Sequence, residues 1–161
     1  MQLVQAVERV LHAPGNFTQE ILEMTLVLDY SVAEEKVRQA SSEIMGILKN
    51  HSQVFRNVRL NVLKWTDDAH LSCECIPMTM IRMGARLECE FTADRHKTLD
   101  ALTQKLKVFH GRSKLIIVYT EGDYEIRSKS EIINNMNPFL KRKVIFVTDN
   151  QIDMGLAVLR Q

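Results

Sequence analysis

Three residues could together hold a hard cation. Asp29 and Ser31 lie two apart, directly after the apolar run Met24–Leu28. Glu121 follows a second apolar run, Leu115–Tyr119, and is itself followed by Gly122. A carboxylate and a hydroxyl on one loop, with a second carboxylate brought from another strand, offer the oxygen ligands that Mg²⁺ prefers. The competing structural role is local: Asp29 and Ser31 can cap the helix that starts after them, and Ser31 with Glu34 has capping-box spacing. Cys73, Cys75 and Cys89 are the next candidates. They supply three thiolates where a structural zinc site usually needs four, so buried free thiols are expected. His70, His96 and His110 are scattered, and no Gly-x-Ser-x-Gly elbow or phosphate-cradling glycine loop accompanies them. Nothing here supports a nucleophile, and the histidines are expected at the surface. Met78, Met80 and Met83 are expected to fill gaps in the core rather than to bind a soft metal.

The elements that must position these residues follow from periodicity. Strands are expected at about 24–29, 58–65, 71–76, 113–120 and 143–147, with a short extended piece at 87–91. Helices are expected at 2–12, 33–50, 94–109, 129–142 and 152–160. Pro138 must kink or split the fourth of these. The turn Thr66–His70 is short enough to make the strands beside it an antiparallel hairpin. Alternation of strands with helices predicts an α/β, doubly wound, mainly parallel sheet with one antiparallel edge strand. In such sheets ligands bind outside the carboxyl ends of the strands, where Asp29 and Glu121 would both project.

Length and charge bound the rest. A chain of 161 residues fits one domain. A net charge of +1 gives no global electrostatic case for nucleic acid or an anionic membrane. Lys141-Arg142-Lys143 is explained by its place at a helix C-terminus. No apolar run approaches the roughly 20 residues that span a bilayer, and Glu8 and Arg9 interrupt any signal-peptide core. A cytoplasmic location is the expectation. The N-terminal helical extension, residues 1–16, could pack on the domain or make an oligomer contact.

From about residue 22 to residue 149, the chain resembles a von Willebrand factor type A domain. Leu26-Val27-Leu28-Asp29-Tyr30-Ser31-Val32-Ala33 is similar to the family's first strand and its Asp-x-Ser-x-Ser motif. Val58–Ala69 is similar to its second strand, and Leu115–Gly122 to its fourth strand with Thr-Asp-Gly. The layout is also similar to small bacterial domains of tellurium-resistance clusters. The resemblance implies a three-layer, Rossmann-like sandwich and a non-enzymatic module that binds a protein partner. It further implies a Mg²⁺ site at Asp29, Ser31 and Glu121, with Thr98 or Thr92 as a further hydroxyl near His96. The match is degenerate: Ala33 replaces the second serine, Glu121 replaces an aspartate, and the family's Gly-Gly-Thr has no clean counterpart. A lost metal site therefore stands beside a retained one. The alternative is a Toprim-like, Mg²⁺-dependent phosphoryl-transfer enzyme using Glu121, Asp123 and Asp149. Asp149-Asn150-Gln151 lacks the second acid that this chemistry needs.

Overall fold

The computed structural model describes residues 22–30, 34–50, 58–68, 71–77, 80, 97–122, 124–141, 143–147 and 152–154. Its elements, in chain order, are β1 (Leu22–Asp29), α1 (Glu34–Asn50), β2 (Val58–Trp65), β3 (Ser72–Pro77), α2 (Leu99–Phe109), β4 (Leu115–Tyr119), α3 (Lys129–Asn135), α4 (Pro138–Lys141), β5 (Val144–Val147) and β6 (Ile152–Met154). The fold is α/β. Six strands form one sheet in the order β3-β2-β1-β4-β5-β6. The four inner strands are parallel, and β3 and β6 pair antiparallel at the two edges.

Two expectations change here. A single antiparallel edge strand was expected, and the described residues hold two. The second, β6, occupies Ile152–Met154, where a helix over 152–160 was expected. Ile152 and Met154 read equally well as alternate residues of a strand. Pairing with Val147 and Ile145 supplies the backbone partners that the edge of β5 otherwise lacks. The helix expected over 129–142 is split at Pro138 into α3 and α4, because proline has no N–H to continue the ladder. Met80, expected to fill the core, is 49% exposed. Residues 1–16, the rest of the Met-rich stretch, the piece at 87–91, Ser31, Thr92, His70, His96, Asp123 and Asp149 lie outside the described residues.

The inner strands bury apolar side chains on both faces. Val27, Leu63, Trp65, Ile116, Val118, Val144 and Phe146 join Leu99, Leu102 and Leu106 of α2, Ile132 of α3 and Leu140 of α4 in one buried cluster. The alternate set, including Leu26, Leu28, Leu60, Val62, Ile117, Tyr119, Ile145 and Val147, is buried as well. Strands covered on both faces need the continuous apolar runs that the sequence displays. Val37, Ala40 and Ile44, spaced three and four apart, are the buried stripe of α1.

Cys75 is exposed, contrary to the expected buried thiol. On the edge strand β3 it pairs with the half-exposed Asn61 of β2. His110 also reverses expectation: it is 2% exposed, not a surface histidine. It closes α2, and its Nδ1 lies 3.2 Å from Thr25 Oγ1, which also pairs with Ser113 Oγ at 2.7 Å. Its Nε2 finds no hydrogen-bond partner among the described residues.

Burial, and secondarily the charge of Lys105, lower the His110 pKa below its ordinary 6.5, with Glu23 opposing them. The neutral ring is thus the native form. The unfolded chain binds the proton first, so this contribution to stability is complete above about 6.5 and is lost as pH falls through the lowered folded value. Urea midpoints measured across that range should fall with acidification, and His110→Gln should flatten the slope. An unchanged slope in the variant would contradict the assignment.

Candidate functional site

The site lies at the carboxyl ends of β1, β2 and β4. Strand register decides what meets there. Asp29 is paired with Trp65 across β1 and β2, and Leu28 with Tyr119 across β1 and β4. One residue further on, Thr120 stands beside Asp29. Side chains alternate along a strand, so Asp29, Trp65 and Thr120 share the face that carries Val27, Leu63 and Val118. Thr120 Oγ1 donates to Asp29 Oδ2 at 2.5 Å. The Gly122 N–H donates to the same hydroxyl at 3.1 Å, so Thr120 binds the loop to the carboxylate. Gly122 has φ +91°, a backbone state that side chains disfavour, which suits glycine to this turn.

The other carboxylate oxygen of Asp29 accepts from Lys97 Nζ in a short ion pair. Lys97 directly precedes the N-cap of α2, the helix that covers this face. The pair is enclosed: Asp29 is 0% and Lys97 4% exposed. The ammonium also lies 5.4 Å from the centre of the Trp65 ring, within cation–π range. Trp65 in turn stacks on Tyr124, with ring centres 5.3 Å apart.

The backbone is fixed on the carboxyl side of Lys97, on both sides of Thr98. Its carbonyl accepts from Glu125 N at 3.0 Å, and Leu99 N donates to Glu125 O at 2.9 Å. Thr98 caps α2, its hydroxyl oxygen accepting from Ala101 N at 3.2 Å. That hydroxyl donates to Asp68 Oδ2 at 2.9 Å, while Thr98 N donates to Asp68 Oδ1 at 2.8 Å. Asp100 Oδ1 and Oδ2 accept from the backbone N–H groups of Arg127 and Ser128, both at 2.9 Å, holding the segment before α3 against α2.

Glu121 goes elsewhere. Its carboxylate pairs with Lys36 of α1 at 2.7 Å, and both side chains are well exposed, at 41% and 44%. One step along the chain reverses the side of the sheet that a residue faces. Thr120 turns to Asp29 and α2, whereas Glu121 turns to α1. The two acids expected in one crevice are therefore held by two different lysines.

The magnesium ion implied by the family resemblance does not fit the described residues as they stand. One Asp29 oxygen is taken by an ammonium and the other by a hydroxyl that donates to it. The Glu121 carboxylate is on Lys36, and the Thr98 hydroxyl is spent on Asp68 and the helix cap. A divalent ion against Asp29 would face the Lys97 charge directly. Among the described residues, no group of three or more His, Cys, Asp or Glu side chains could hold a metal.

Lys97, Thr120 and Asp68 were not singled out from sequence. Counting back from α2 pointed to His96, one residue from the lysine that matters. A lysine just before a capping threonine looks like a solvated helix start, and only the β1–β2–β4 register reveals the acid it meets.

No protein-family model matches the chain, and comparison with curated proteins gives no match. No helix among the described residues is long and apolar enough to cross a membrane.

Thr120→Val removes the donor to Asp29 and the acceptor for Gly122 while keeping the shape. It should cost about 1–3 kcal/mol in urea unfolding, and Thr120→Ser should restore most of it. Equal stability of the valine variant and the parent would show that these bonds contribute nothing.

Proposed function

We propose that this chain is a non-enzymatic, protein-binding module of the von Willebrand factor type A kind. The observation that carries the reading is the engagement of Asp29. It sits where an α/β sheet presents its chemistry, yet both its oxygens are engaged inside the protein. A buried carboxylate with both oxygens tied to lysine and threonine presents neither oxygen to a substrate.

Topology supports the three-layer form of the fold. From β1 the chain passes through α1 to β2 on one side, and later reaches β4 on the other. Crossovers of the usual right hand, running in opposite directions, place their helices on opposite faces. The Toprim-like alternative gains less support. Glu121, its first acid, is paired with Lys36, while β1 lies next to β4 and so brings Asp29 to the same end of the sheet.

A docking face is at hand on α2. Val108 and Phe109 are 62% and 67% exposed. They flank a surface cavity of about 380 Å³ that Leu71, Gln104 and Lys105 also line and that reaches Asp68. Lys105 Nζ lies 4.8 Å from the Phe109 ring, leaving an apolar surface with a positive edge.

The test is affinity capture from the native host's extract, using the parent and Phe109→Glu. A defined protein retained by the parent and lost by the variant, at unchanged thermal stability, is the expected result. No retained protein, together with magnesium-dependent turnover of a phosphoester lost in Glu121→Gln, would overturn the reading in favour of an enzyme.

A further inference from the structure

We propose that the Lys97 ammonium is the permanent resident cation of this site, joining the ends of β1 and β4 to the start of α2 without any metal ion. This does not depend on whether the chain binds a protein partner.

Three features separate this pair from an ordinary ion pair. The first is burial. Asp29 and Lys97 are almost wholly enclosed, whereas Lys36–Glu121, at the same end of the sheet, is open to water. An exposed pair contributes little, but a buried carboxylate without a counter-charge is strongly destabilising. The second is the cage. Trp65 presents its ring to the ammonium, and Thr120 satisfies the second carboxylate oxygen. The third is the mounting. Glu125 grips the chain on both sides of Thr98, and Asp68 grips Thr98 itself, so the lysine's Cα is held in place. Such fixing reduces the backbone entropy that pairing must overcome.

The consequence for recognition follows from charge. A divalent ion on Asp29 would leave one positive charge and open coordination positions for a ligand's oxygen. The Lys97 ammonium sets its charge against Asp29, and both groups are enclosed. The site therefore offers no coordination position to an acidic group of a partner, and any partner must be recognised by other surfaces.

Thermal unfolding of the purified chain tests this. The midpoint should be the same in EDTA and in millimolar MgCl2 or MnCl2, since an ion bound only by the native state must raise it. A rise with either metal overturns the proposal. Lys97→Met keeps the bulk and removes the charge, and should lower the midpoint by roughly 6–20 °C. Adding Asp29→Asn to Lys97→Met should recover most of that loss, because Asp29 is then no longer a buried charge without its lysine. Where Lys97→Met alone does not fold, a folded double variant supports the proposal. A double variant no better than the single one overturns it, as does a single variant as stable as the parent.

Discussion

A carboxylate with no exposure to water must be neutralised and hydrogen-bonded where it lies. In this chain that constraint falls on Asp29, and much of the neighbouring architecture follows from it. The first strand ends in the middle of the sheet, between β2 and β4, so the acid cannot turn to solvent. Its partners must come from segments far away in sequence. Thr120 arrives from β4, and Lys97 from the approach to α2. The Glu125 and Asp68 contacts then hold those segments in register.

Alternation along the strands sorts the polar residues at this end of the sheet into two groups. On the α2 side, Asp29, Thr120, Lys97 and Trp65 form a closed cluster with little water. On the α1 side, Glu121 and Lys36 form an open pair that solvent screens. Two lysine–acid pairs of the same formal chemistry thus contribute very differently to stability. A second polar cluster, Thr25, His110 and Ser113, lies near the other end of β1 and β4. It too joins β1 to the turn between α2 and β4, but with neutral groups in place of ions.

The parts of the fold that were legible in sequence are those in which one segment carries its own signal. Leu26–Leu28, Leu115–Tyr119 and Val144–Val147 are uninterrupted apolar runs, and each lies in a buried strand. Val37, Ala40 and Ile44 announce a helix by spacing, and Pro138 announces a break. What escaped depends on pairing between segments. Residues 152–154 form a strand because β5 offers them an edge, although their apolar spacing also suits a helix. Cys75 is exposed because its strand is at an edge, and His110 is buried because α2 ends against β1. In the site, Asp29 could be named because it ends a strand. Lys97 could not, because nothing nearby in sequence records that it will meet an acid 68 positions away. Glu121 looked like the companion of Asp29 from its charge, its place at a strand end and the family resemblance, but Thr120 takes that place.

The most direct measurement is a crystal structure from crystals soaked in manganese, with an anomalous difference map at Asp29. Lys97 Nζ on the carboxylate, with no anomalous peak there, is the expected result. A manganese ion bonded to an Asp29 oxygen, with Lys97 displaced, would contradict it.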